Sequence, residues 1–169
     1  MTCAAAAKKG HLEVLKWLYD ANRSPWDDST CANAAAQNGQ FEVLKWLSTT
    51  DEWRWNEWTG IKAAIGGHLE IFQWLHANGC PWDEHACMAA AGGGHLELLK
   101  WMSTIDRWRW DERLCEDAAE KGRLGVLQWL HANECPWNEQ TCAYAAEGGH
   151  LEVLQWLHAN ECPWDGRTC

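Results

Sequence analysis

Histidine and cysteine are the side chains of this chain whose spacing could do chemistry. His76, Cys80 and Cys87 recur in type and spacing as His131, Cys135 and Cys142, and again as His158, Cys162 and Cys169. Imidazole nitrogen and thiolate sulfur are standard zinc ligands, so this His-x3-Cys-x6-Cys pattern offers one reading of the chain, a metal- or redox-responsive array. His85 is a candidate fourth ligand in the first set only, and the stretches around Trp26, Trp55 and Trp110 break the pattern. Local Cys-x6-Cys disulfides are a further option for the same thiols. Nine cysteines are an odd number and about 5% of the chain, below the density of small secreted disulfide scaffolds, so they read as reduced. No nucleophile has a repeated base partner, no glycine-rich phosphate loop follows a strand, and the carboxylate pairs Asp27-Asp28, Asp83-Glu84 and Asp111-Glu112 sit in regular turns where they suit helix starts. No catalytic residue, bound metal or cofactor is expected, and the chain does not read as an enzyme.

The elements that carry these residues are repeated. Trp17, Trp46, Trp74, Trp101, Trp129 and Trp156 recur 29, 28, 27, 28 and 27 residues apart, and a second row, Trp26, Trp55, Trp82, Trp110, Trp137 and Trp164, follows the first by eight or nine. A period in this range marks a solenoid whose units cannot bury their apolar faces alone. The units run over 2-29, 30-58, 59-85, 86-113, 114-140 and 141-167, with 168-169 opening a seventh, in one array. Segments 44-57 and 99-112, and likewise 73-84 and 128-139, are near copies 55 residues apart, which points to duplication of a two-unit block.

The sixth unit shows the local logic. Thr141 is placed to cap an alanine-rich helix ending near Glu147, where Gly148 and Gly149 stop it. A second helix is predicted from His150 to Ala159, with Leu151, Val153, Leu154, Trp156 and Leu157 on a broad apolar arc. Asn160 is the expected left-handed cap, and Pro163 forbids continuation.

These features closely resemble the ankyrin repeat. Asp165-Gly166-Arg167-Thr168 matches its turn and helix start, Ala145-Ala146 its alanine pair, and Gly149-His150 its Gly-His step. The resemblance covers all six units and is nearest to short Trp-rich arrays with PWDE-type loops, as in large DNA viruses and protists. It implies an all-α solenoid of six helix-turn-helix repeats with short loops in place of β-hairpin fingers, because about five residues are missing where the finger would be. It also implies a protein-binding role, and interrepeat hydrogen bonds from His11, His68, His95 and His150, replaced by Gln40 and Arg123 in two units. The segment Thr-Cys-Ala departs from the family's Thr-Pro-Leu-His, which puts that motif's hydrogen bonding in question here.

Candidate contact residues follow from what varies. The position before the alanine pair changes from Ala5 to Asn33, Lys62, Ala89, Asp117 and Tyr144, and a row free to vary is expected to face solvent, on the concave side in such arrays. Trp53-Arg54 and Arg107-Trp108-Arg109 fall outside both tryptophan rows, and Trp and Arg dominate binding hot spots. They serve either partner contact or filling of the truncated finger. The twelve tryptophans of the regular rows read instead as packing, the first row between units and the second beneath the loops.

Composition bounds the partner. With 24 acidic and 14 basic residues the net charge is -10, which disfavours a nucleic-acid backbone and favours a basic or neutral protein. No apolar run approaches the roughly 20 residues of a membrane span, and the start of the chain lacks the charge order of a secretory signal. A cytoplasmic monomer is expected, host cytoplasm if the chain is viral, with uncapped ends that offer surface for self-association.

Overall fold

A computed structural model of the chain describes residues 3–21, 28–50, 55–105 and 110–164. Twelve α-helices and no strand occur among the described residues. They form an all-α solenoid of paired helices. The first member of each pair is α1 (Cys3–Lys8), α3 (Asp28–Gln37), α5 (Glu57–Gly66), α7 (Glu84–Gly93), α9 (Glu112–Glu120) and α11 (Glu139–Glu147); the second is α2 (Leu12–Asp20), α4 (Phe41–Leu47), α6 (Leu69–Ala77), α8 (Leu96–Ile105), α10 (Leu124–Ala132) and α12 (Leu151–Ala159).

The chain divides into two compact units, Met1–Ala86 and Cys87–Cys169. In the first, α1, α3 and α5 pack in succession, each against its own second helix. In the second, α9 packs on α11, and α9 and α11 each pack against their own partners α10 and α12. Ala35, Ala36, Ala63, Ala64, Ala118 and Ala119 are fully buried, and alanine at these positions lets neighbouring backbones approach closely. The remaining core is mainly aliphatic, built from Val43, Leu44, Leu47, Ile71, Leu75, Leu98, Leu99, Leu127 and Leu130, with Phe72, Met102 and buried cysteines among them. Such short helices are marginal in isolation, so this interpair burial is what holds them.

The turn inside each pair uses a left-handed glycine. Gly39 has φ +73°, and a Cβ there would stand 2.9 Å from the His68 ring of the next pair. Conformation and space therefore both demand glycine at this position. His68 Nε2–H donates to Gln37 O (3.2 Å), Gln40 Nε2–H to Lys8 O (3.4 Å), Arg123 Nε–H to Gly92 O (2.9 Å) and His150 Nε2–H to Glu120 O (2.9 Å). Each bond satisfies a carbonyl at the C-terminal end of the preceding first helix, which its own helix leaves unpaired. His68 and His150 thus play the interrepeat role expected of them, and Gln40 and Arg123 keep it with other chemistry.

Three local expectations differ from the structure. Thr141 is not the cap of α11: Asn138 is, its Oδ1 accepting from Gln140 N–H (2.9 Å) and Thr141 N–H (3.3 Å), while Thr141 Oγ1 accepts from Asn138 N–H (3.4 Å). Asn is the stronger capping residue, and moving the start to Glu139 gives the helix extra residues. Asn160 is not left-handed, with φ -107°; its side-chain N–H donates to Trp156 O (2.8 Å) instead, and the reversal falls on Glu161, φ 60°. Glu134 has the same φ, and Gly79 occupies that place in the third pair. The third difference concerns the helix tryptophans. Trp46, Trp74, Trp101, Trp129 and Trp156 are half-buried and Trp17 is 57% exposed, so the indoles line the rim of the core. The interior left between close-packed alanine backbones takes aliphatic side chains, and an indole is too large for it.

Candidate functional site

The variable row lies on the first helices, immediately before the buried alanines except at Asn33, which half-buried Ala34 separates from Ala35 and Ala36. Asn33, Lys62, Asp117 and Tyr144 are all half-buried, whereas Ala5 is exposed, so the row is less open than a purely solvent-facing one. Asn33 is also structural: its Oδ1 accepts from Thr59 Oγ1 (2.9 Å), joining α3 to α5. Thr59 is itself buried and bonds across helix pairs in this way, whereas Thr141 of the Thr-Cys-Ala segment exchanges bonds with Asn138 at the start of its own helix. Asp117 sits beside Glu116 and Glu120; burial first and those two carboxylates second push its pKa above the ordinary carboxylate value, against the opposing charges of Lys121 and Arg113. Trp53, Arg54, Arg107, Trp108 and Arg109 lie outside the described residues.

The second tryptophan row packs on the first. Trp55 meets Trp74 edge-to-face at 5.5 Å in the first unit, and Trp110 meets Trp129 at 5.6 Å and Trp137 meets Trp156 at 5.7 Å in the second. Each loop indole thus leans on the helix indole of the following pair, a contact worth roughly 0.5 to 1.5 kcal/mol beyond area burial. The histidines of the His-x3-Cys-x6-Cys sets belong to the same aromatic edge. Trp82 Nε1–H donates to His76 Nδ1 (3.0 Å), His131 stacks on Trp137 at 4.1 Å, and His158 meets Trp164 at 5.3 Å.

The cysteines of those sets turn inward. Cys80, Cys135 and Cys162 are buried, and their thiols donate to Asn56 O (3.6 Å), Asp111 O (3.5 Å) and Asn138 O (3.5 Å), the backbone carbonyls of the residues that cap α5, α9 and α11. Sulfur bonds of this kind are weak individually, but the same one is built three times. Cys135 also lies 3.6 Å from Cys115, a thiol twenty residues back in the chain. Burial pushes the Cys80 thiol up to about 12, with a bond from the Gly60 backbone opposing it. Cys115 is raised by its contact with Cys135 and by burial, and Cys162 chiefly by burial. A thiol held protonated is a poor metal ligand and a poor nucleophile. Among the described residues no group of three or more His, Cys, Asp or Glu side chains is arranged to hold a metal ion. Cys169 lies outside them.

One residue was missed by pattern reading. Of fifteen tryptophans, twelve fall in the two rows and Trp53 and Trp108 flank arginines; the fifteenth is Trp58, at the second position of α5 and 55% exposed. Subtracting the periodic tryptophans from the total would have isolated it. With Glu57, Ile61, Asp83 and His85 it bounds a cleft of about 260 Å³ in the first unit.

Comparison with known proteins places this architecture. The crystal structure of the human ASB11 ankyrin repeat domain superposes with a TM-score of 0.71 over 96% of this chain and 85% of that one, at 16% sequence identity, a likeness of fold. No curated protein matches the chain by sequence. The family model described as ankyrin repeats (many copies) matches residues 3–47 and 115–158, together more than half of the chain. With the paired helices, the buried alanine pairs and the Gly-His step in place, this chain belongs to the ankyrin repeat family.

Proposed function

We propose that the chain is a non-catalytic protein-interaction scaffold that holds a partner through the first-helix row, Asn33, Lys62, Asp117 and Tyr144, and through the loop-edge residues Trp53, Arg54, Arg107, Trp108 and Arg109. The observation that carries this reading is the contrast within one helix face: alanines fully buried in every described unit, and beside them a half-open row that differs from unit to unit. Shared packing holds the first constant, and partner identity is what the second is free to encode. The crowding of Glu116, Asp117 and Glu120 supports a basic partner, since a cation at this face would offset both the burial and the carboxylate repulsion that raise Asp117. The net charge of -10 would speed the approach of such a partner. No described helix is long and apolar enough to cross a membrane.

The test is affinity capture with wild type, with Lys62→Ala/Asp117→Ala/Tyr144→Ala and with Trp53→Ala/Trp108→Ala, each first shown to melt cooperatively. Asn33→Ala needs that control most, because it also removes the bond to Thr59. Loss of the same captured protein from both multiple variants is expected; retention by both would exclude these residues as the binding surface.

A further inference from the structure

The first turn of α5 is held rigidly. Asn56 caps it, its Oδ1 accepting from Thr59 N–H (3.2 Å), and the Thr59 hydroxyl reaches Asn33 on α3. Trp58 rides on this fixed turn yet contributes nothing to the core, in contrast to Ile61, only 7% exposed, one turn further on. The equivalent positions of the other first helices hold Ser29, His85, Arg113 and Gln140, so the aromatic residue belongs to this pair alone. Around it the cleft has an apolar floor, Ile61, and two carboxylates at its sides. Asp83 is oriented by His85, whose backbone N–H (3.0 Å) and Nδ1 (3.0 Å) both meet it. Glu57 is paired with no base among the described residues.

We infer that this cleft receives an arginine side chain from a basic segment of a partner protein. The inference rests on the scaffold reading above and names one contact within it. A volume of about 260 Å³ is below the usual range of small-molecule pockets, roughly 300 to 1,000 Å³, and suits a single side chain. An indole face beside carboxylates selects an occupant with a flat, weakly hydrated cation at the end of an apolar stem: the guanidinium stacks on Trp58 and pairs with Glu57, Asp83 being engaged by His85, and the stem covers Ile61. A purely apolar side chain would leave those carboxylates desolvated without a partner, and a phosphate would be repelled by them.

Titration of the uniformly 15N-labelled full chain with an acetylated Gly-Ser-Arg-Ser-Gly amide peptide tests this site directly. The indole N–H signal of Trp58 is identified by its absence in Trp58→Phe, a variant that leaves the core untouched. That signal is expected to move saturably with the arginine peptide and to stay in place with the citrulline peptide, which is of similar shape but uncharged. In Glu57→Gln the apparent Kd should rise about fivefold, the scale of one exposed cation contact. An unmoved Trp58 signal, an equal response to citrulline, or an unchanged Kd in Glu57→Gln would overturn the assignment. The capture experiment separates this from the broader reading: if captured protein still depends on Lys62, Asp117 and Tyr144 while the cleft ignores arginine, the cleft assignment fails and the scaffold survives. If the cleft takes arginine and neither multiple variant alters capture, the reverse holds.

Discussion

At the scale of single residues, the cysteines serve to anchor loops. Each of Cys80, Cys135 and Cys162 pins the loop after its second helix to a backbone carbonyl at the start of the first helix of the same pair. The thiol can do this only while it keeps its proton, so its contribution has a pH window. In the unfolded chain Cys80 ionises near 9.0, whereas in the folded protein it holds its proton to about 12. Below pH 9.0 both states are protonated and the contribution is complete; between pH 9.0 and about 12 only the unfolded state releases a proton, so stability falls as pH rises. Unfolding free energies from urea titrations across that window should fall less steeply for Cys80→Ala than for wild type, by up to about 1.4 kcal/mol per pH unit. Parallel curves would mean that Cys80 is not held protonated. The row of cysteines was legible from spacing; that they face helix-start carbonyls, and leave their histidines to the indoles, was not, because those partners lie 24 residues away or on an aromatic edge assembled by folding.

At the scale of elements, turns decide the boundaries. Gly39→Ala places a side chain at φ +73° and against the His68 ring that bonds Gln37. The left-handed conformation alone costs a non-glycine residue about 1 to 2 kcal/mol, so the thermal midpoint should drop by several degrees, with His68 displaced. A Gly39→Ala chain melting like wild type would show that this turn relaxes freely. Glu134 presents the opposite case, a non-glycine residue at φ 60° where the third pair has Gly79. Glu134→Gly should therefore raise stability by up to about 1 kcal/mol in chemical denaturation, the relief of strain exceeding the entropy that glycine adds to the unfolded chain. The glycine stops were readable because their cause is local. The start of α11 was misjudged by three residues because Asn138 and Thr141 are both competent caps, and reciprocal bonding between them settles the choice in favour of the earlier one.

At the scale of the molecule, the paired helix is a unit of repetition and not of stability. Buried alanines and leucines of one pair are covered by its neighbours, so a peptide of residues 138–164, carrying α11 and α12, should show little helical circular dichroism at 25 °C while the full chain is folded. A stably helical monomeric peptide would contradict this dependence. The same nearest-neighbour logic puts the two tryptophan rows at the rim: Trp55, Trp110 and Trp137 each meet edge-to-face a helix indole of the following pair.

Periodicity, glycine placement and alanine pairs were enough to establish a helical-pair repeat of the ankyrin type, because each of these signals acts within a few residues or recurs at a constant interval. The fate of the large side chains was decided by folding. Whether a tryptophan is core, rim or open depends on how closely neighbouring backbones approach, and whether a histidine faces a metal or an indole depends on which residue a turn brings across. Trp58 is the clearest case: in the sequence it is one indole among fifteen, and only the packing of α5, with Asp83 and His85 brought alongside, leaves its face open beside two carboxylates.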